Sequence, residues 1–319
     1  MLKIGYFADG KWARICLLKI LQNPQIQINF IVLRKTKDTK LEKLALRYQI
    51  PCYTHIDVNS KEFLNELEKY SNDLLVSMSF DQIFKEELLK LYPRKIINCH
   101  AGKLPFYRGR NILNWALIND EKEFGISVHF IDKGIDTGDI ILQKTYDIKD
   151  SDDYTTLLNL CHKECASLLY ESLILFLEDN VKAYKQKEGG FYCPKRKKGD
   201  EIINWTQSTR EIFNFIRALN AKDLGASAFI DKKEIKIYKS EIYKDKIFNA
   251  PIGKIVKKEK NFFIVSTKDG ALKITKFKGM INMQEKFKID RGGGNLIFLL
   301  LLLGEVREKC HHYRSGWLC

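Results

Sequence analysis

Apolar positions in the first half of the chain fall into short runs separated by helical patterns. Leu2–Phe7, Ile28–Leu33, Leu74–Ser77 and Ile96–Cys99 read as buried strands, with Cys52 and Tyr53 a short extended piece after Pro51. Between them, Arg14–Leu21, Leu41–Gln49, the stretch from the cap Ser60 to Tyr70, and Lys85–Leu91 repeat apolar residues at the spacing of one helix face. Ile126–Ile131 alternates and predicts a further strand, and Thr155–Leu177 predicts a long amphipathic helix. Strands and helices alternating at this pitch predict an α/β domain over 1–185 with a mostly parallel sheet. In such a sheet, functional groups gather at the carboxyl ends of the strands.

The pattern then changes. Residues 186–200 hold Gly189-Gly190, Pro194 and the basic run Lys195–Lys198, and read as a linker. Ser208 caps a helix through Leu219, with Glu211 in capping-box position. Ala226–Ile230, Glu234–Tyr238, Gly253–Lys257, Phe262–Thr267 and Ala271–Phe277 are short strands joined by polar turns. They predict a small antiparallel barrel over 201–289. The tail, 290–319, is atypical: three glycines, then the apolar octet Leu296–Leu303. It receives no function, although Cys310, His311, His312 and Cys319 lie in it. The barrel domain or the octet could supply a homodimer surface.

Charge is unevenly spread. The 319 residues carry a net +14, yet 1–182 hold 25 basic and 25 acidic residues, while 183–289 hold 25 and 12. The excess therefore belongs to the second domain, as a phosphate-tracking surface or as lysine drift, since Lys outnumbers Arg there. The start of the chain reads as a strand rather than a leader, and the octet is far short of the ~20 residues that span a bilayer. Eight scattered Cys then predict reduced thiols in a cytoplasm, with no membrane partner. Cys161, His162 and Cys165 lack a second ligand pair, so they read as structural.

The densest chemistry is INCHAGKLPFYRGRN, containing Asn98 and His100, followed 36 residues after His100 by Asp136 in GIDTGDI. An amide donor, an imidazole and a carboxylate near strand ends suit attack of an amine on a carbonyl. The amide can hold the developing oxyanion, the imidazole can take the amine's proton, and the carboxylate can orient the imidazole. A lone His after a buried strand would as readily be structural; the group together is what points to catalysis.

Order, spacing and flanking residues of these motifs resemble the folate-dependent formyltransferases, and FYCPKRKKGDEIINW with EIFNFIRALN resembles the start of that family's C-terminal domain. The resemblance covers about 1–289. It implies a Rossmann-like sheet with helices on both faces, an OB-like barrel, and 10-formyltetrahydrofolate as co-substrate with no metal. It makes Asn98, His100 and Asp136 the catalytic triad. It assigns Gly102, Lys103, Leu104 and Pro105 to the folate, with Met78, Ser79, Phe80 and Ile83 lining the pterin pocket. Gly102 departs from a common Ser, and Lys103 from a commonly apolar residue.

The acceptor is a separate question, because one fold serves several acceptors. In tRNA-acting members an extended basic loop follows the second strand. Here LRKTKDTKLEKLA runs straight into a helix. Gly10, Lys11 and Trp12 in the first strand-to-helix turn could hold a diphosphate and pack a base or sugar. Tyr107 and Arg108 extend the candidate substrate surface. The expectation is a formyltransferase acting on a nucleotide-linked amino-deoxysugar for surface glycans. The alternative is methionyl-tRNA formyltransferase, with the basic domain as a tRNA clamp. A non-catalytic folate or nucleotide binder would have no need of the triad.

Overall fold

The computed structural model describes residues 1–289 except 35–37, 55, 222–223, 246–248 and 284. The tail and its octet therefore lie outside the described residues. The chain forms two compact units, the first of Met1–Ala116, Glu121–Asp152 and Thr156–Lys195, the second of Leu117–Asp120, Asp153–Thr155 and the chain from Arg196.

The first unit runs β1 (Leu2–Ala8), α1 (Gly10–Ile20), β2 (Ile26–Leu33), α2 (Thr39–Arg47), β3 (Cys52–Tyr53), α3 (Lys61–Glu68), β4 (Leu74–Met78), α4 (Glu86–Leu91) and β5 (Ile96–His100). It continues with β6 (Arg108–Gly109), α5 (Ile112–Ile118), β7 (Glu123–Phe130), β8 (Ile140–Asp147), α6 (Tyr154–Leu177) and β9 (Tyr192–Cys193). Seven strands form one sheet in the order β3-β2-β1-β4-β5-β7-β8. The first five strands are parallel, and β7 runs against both of its neighbours, β5 and β8, so the sheet is mostly parallel, as expected. Its central strands are buried along their length, which explains the apolar run of β4; nearly all of β7 is buried too, although its sequence alternates. Phe7, Phe30, Phe63, Phe80 and Phe84 interlock edge-on beside β1 and anchor one part of this core.

The strand order reverses between β1 and β4, where Asp9 and Ser79 leave the sheet. Such a switch point is where open α/β sheets bind ligands. Part of the stretch read as a linker makes ordered contacts in this unit. Phe191 O and Cys193 O accept from Arg108 N and Arg110 N at 3.1 and 3.0 Å, and Trp115 Nε1 donates to Pro194 O at 3.0 Å.

The second unit holds α7 (Thr209–Ala218) and an antiparallel sheet of β10 (Ala226–Ile230), β11 (Lys233–Tyr243), β12 (Ile255–Lys258), β13 (Phe263–Ser266) and β14 (Ala271–Lys278), in the order β10-β11-β14-β13-β12. The Ser208–Glu211 capping box is present at α7. Residues 285–288 stitch the two outer strands together. Ile255 N donates to Glu285 O and Phe287 N to Gly253 O on one side, and Lys288 N donates to Phe229 O on the other. Phe287 then stacks on the buried Trp205 at 4.8 Å between centroids. Among the described residues no helix is long and apolar enough to cross a membrane.

Candidate active site

Asn98 and His100 lie two apart on β5 and share a face of the sheet, while Cys99 turns to the other and meets Cys165 O. On the antiparallel neighbour β7, His129 stands opposite Asn98 and Ser127 opposite His100. Asn98 Nδ2 is 3.3 Å from His129 Nε2. The turn after β7 folds back over this face and sets the Asp136 carboxylate between two imidazoles. Oδ2 lies 3.6 Å from His100 Nδ1, Oδ1 lies 3.5 Å from His129 Nε2, and Gly109 N donates to Oδ2 at 2.9 Å. His100 and His129 are only 8% and 2% exposed. The three residues singled out in the sequence are thus brought together, with His129 a fourth that was not.

Burial alone would raise the Asp136 pKa. The charges of His100 and His129, with the hydrogen bonds from His129 and the Gly109 N–H, outweigh it and hold the carboxyl well below the usual range. Asp136 has φ 53°, a left-handed conformation that Asp tolerates better than most residues. Gln186 secures that turn, its Nε2 donating to Asp136 O and Gly138 O, each at 2.8 Å. Arg108 in turn donates to Gln186 Oε1, from Nε at 3.2 Å and Nη2 at 2.6 Å. The Arg108 guanidinium therefore supports the Asp136 turn through Gln186.

His100 Nε2 lies 2.7 Å from Tyr107 O. A carbonyl only accepts, so Nε2 carries a hydrogen, and Nδ1 is the ring nitrogen that faces Asp136. Tyr107 itself packs on Phe191 and donates its hydroxyl to Glu121 at 2.5 Å. Gly102 is explained by this arrangement. A Cβ there would overlap Tyr107 O and the His100 ring, standing 2.7 Å from Cδ2.

The segment 102–105 is pinned from below. Ser127 Oγ donates to Gly102 O at 2.7 Å, and Gln143 Nε2 donates to Leu104 O at 3.0 Å. Leu104 is buried, and Lys103 turns aside to form an ion pair with Glu123. Of the residues expected along the pterin pocket, Met78 is buried and its sulfur accepts from Tyr6 Oη at 3.4 Å. Phe80 belongs to the aromatic cluster, Ser79 accepts from Arg34 Nη2 at 3.1 Å, and Ile83 is 60% exposed on the loop after β4. Arg34 also faces Asp9, whose pKa is raised by burial against the pull of that guanidinium. In the first turn, Gly10 opens α1 at φ 78°, Lys11 is exposed, and Trp12 meets the His162 ring edge-on at 5.5 Å. Burial, then the charges of Lys11 and Arg14, lower the His162 pKa, so this helix start carries a positive field.

His129, Gln186, Ser127, Gln143 and Arg34 had no sequence signal beyond residue type. The one usable hint was a titratable side chain at an inward position of an alternating strand, in ISVHFI. Among the described residues no group of three His, Cys, Asp or Glu side chains is arranged to hold a metal ion.

A mostly parallel sheet with an Asn and His on β5 and an Asp on the turn after β7 defines a transferase-like α/β site. The formyl transferase family model matches residues 20–173, and that of the formyl transferase C-terminal domain matches 195–289. Similar proteins include the methionyl-tRNA formyltransferase of Clostridium acetobutylicum, 30% identical over 92% of this chain and 99% of that one. The methionyl-tRNA formyltransferase of Caldanaerobacter subterraneus subsp. tengcongensis is 37% identical over 75% and 77%. Among solved structures, a sugar 3N-formyl transferase crystallised with dTDP and 5-N-formyl-THF matches with TM-score 0.70 and 26% identity, over 88% of this chain and 99% of that one. The chain belongs to the formyltransferase family.

Proposed function

We propose that this enzyme transfers a formyl group from 10-formyltetrahydrofolate to the amine of a nucleotide-linked amino-deoxysugar. The observation that carries the acceptor reading is the connection between β2 and α2. β2 ends at Leu33 and α2 begins at Thr39, capped by Asp38, which accepts from Lys40 N and Leu41 N and pairs with Arg14 at 2.8 Å. Five intervening residues leave no room for the extended basic loop of tRNA-acting members. The similar sugar 3N-formyl transferase, with its dTDP and folate, supports the same reading. The second reading, methionyl-tRNA formyltransferase, draws on the identities of 30–37% to those enzymes.

The residues at the switch point fit a folate. An exposed Ile83, the Phe80 edge and the fixed backbone of 102–105 offer an apolar wall beside main-chain polar groups. When bound, 10-formyltetrahydrofolate supplies the formyl carbon. As the acceptor amine bonds to the formyl carbon, His100 accepts its proton at Nδ1 and the imidazolium is held between Tyr107 O and Asp136 Oδ2. Passing a proton to N10 lets the C–N10 bond break and tetrahydrofolate leave. Asn98 offers an amide N–H to the negative charge developing on the formyl oxygen. In this reading the exposed Lys11, at the start of α1, meets the diphosphate.

The test is a competition. Protein and 10-formyltetrahydrofolate are offered dTDP- and UDP-linked 3-amino and 4-amino sugars beside methionyl initiator tRNA, and mass spectrometry reads which gains a formyl group. A formylated sugar with untouched tRNA is expected. Formylated tRNA alone would overturn the acceptor reading and leave the triad chemistry standing.

A further inference from the structure

Arginines in this chain are mostly met by carboxylates: Arg14, Arg34, Arg94, Arg210 and Arg217 each face an aspartate. Arg108 differs. It is half-buried beside the site, and among the described residues its side chain meets only the neutral Gln186 Oε1 and the Tyr192 ring, 5.5 Å away. We propose that Arg108 holds a phosphate of the acceptor's diphosphate. The proposal rests on the nucleotide-linked acceptor of the preceding subsection and names the group that grips it.

The guanidinium is a fixed fork with one edge in use. Nε and Nη2 both donate to Gln186 Oε1, at 3.2 and 2.6 Å, while Nη1 has no partner among the described residues. A neutral amide and an aromatic face orient a guanidinium without cancelling its charge. An arriving phosphate therefore displaces no carboxylate, and finds charge-assisted donors already held in place. Arg110, two residues on, is exposed and adds a second positive charge to the same stretch. The exposed Lys11 offers a mobile point charge, whereas Arg108 offers a planar fork.

Position ties this cation to the chemistry. Arg108 follows Tyr107, whose carbonyl meets His100 Nε2 at 2.7 Å. Gln186 joins it to the other half of the site, donating from Nε2 to Asp136 O and Gly138 O, each at 2.8 Å. The guanidinium is thus one side chain away from the Asp136 turn. In a 3-amino or 4-amino sugar, a single ring separates the amine from the anomeric diphosphate. A phosphate gripped on Arg108 therefore fixes how far the amine stands from the catalytic turn, so the cation sets acceptor position as well as affinity.

Inorganic diphosphate is the probe. With 10-formyltetrahydrofolate and the sugar acceptor that the competition identifies, it should inhibit the wild type competitively with the acceptor. Arg108→Gln is expected to raise both its Ki and the acceptor's KM by about tenfold or more, with the KM for folate unchanged within about twofold. Arg108→Lys keeps the charge without the fork, and should raise them by about threefold. A merely structural role, through Gln186 and the Asp136 turn, would lower kcat and leave the Ki where it is. That result would overturn the proposal. So would inhibition of the wild type that is not competitive with the acceptor, a measurement that needs no variant to fold. Thermal melts check Arg108→Gln and Arg108→Lys. Formylation of tRNA alone would sink the sugar reading and this proposal with it, whereas a formylated sugar with an unchanged Ki sinks the proposal alone.

Discussion

Asp136 concentrates more of the site's physics than any other side chain. It is a buried carboxylate between two imidazoles, on a left-handed turn, with a main-chain N–H on one oxygen. Its folded pKa is depressed, so it contributes stability above the ordinary carboxylate range, and that contribution is lost as pH falls toward the folded value. Asp136→Asn is therefore expected to destabilise the protein by about 3 kcal/mol at neutral pH, the scale for breaking a buried pair. The gap between mutant and wild type should hold down to about pH 4 and shrink below it. Urea midpoints at pH 7, 5 and 3 measure this, and a gap that stays constant from pH 7 to 3 would exclude the linkage. Asn98, His100 and Asp136 were legible in the sequence because their motifs come with fixed neighbours. Gln186 was not, since a Gln 50 residues from the turn it braces looks like any polar residue beside a glycine pair.

Elements follow the hydrophobic pattern where burial is one-sided or complete, and escape it where the chain is held by a few main-chain bonds. β1, β2, β4 and β5 were visible as apolar runs, and α7 as a capped amphipathic helix. β8 was missed because only its first residues are buried and the rest is solvated, which erases the alternation. α5 was missed because its short apolar run lacks a period long enough to read. The five barrel strands were legible, but the segment that closes them was not: residues 285–288 carry alternate lysines and no turn signal. Its contribution is concentrated in Phe287, 1% exposed and stacked on Trp205. Phe287→Ala should cost about 3–5 kcal/mol in the second unit. Indole fluorescence during urea unfolding would show it as an early transition, and a midpoint equal to wild type would mean that the strand edges hold without the aromatic stack.

At the scale of the whole molecule the unsettled quantity is charge, because 183–289 hold 25 basic residues against 12 acidic while 1–182 are balanced. Some of that excess is engaged within its own sheet. Lys236 pairs with Glu234 at 3.1 Å, Lys273 with Glu241 at 3.5 Å, and Lys273 also lies over the Phe262 ring at 4.8 Å. Many other lysines are exposed, and exposed lysines attract any polyanion without being a built site. Salt dependence distinguishes attraction that the reaction uses from attraction it does not. Each phosphate contact releases counterions and contributes about −0.7 to −0.9 to the slope of log affinity against log salt. A diphosphate-linked sugar carries no condensed counterion sheath to release, so log kcat/KM against log KCl should slope only weakly for such an acceptor. An RNA clamp making six or more phosphate contacts would instead slope at about −4 or steeper. A shallow slope with the sugar acceptor would mean that the lysine-rich unit takes no part in catalysis. A steep slope with tRNA as acceptor would make the lysines the acceptor site and overturn the argument from the short β2–α2 connection.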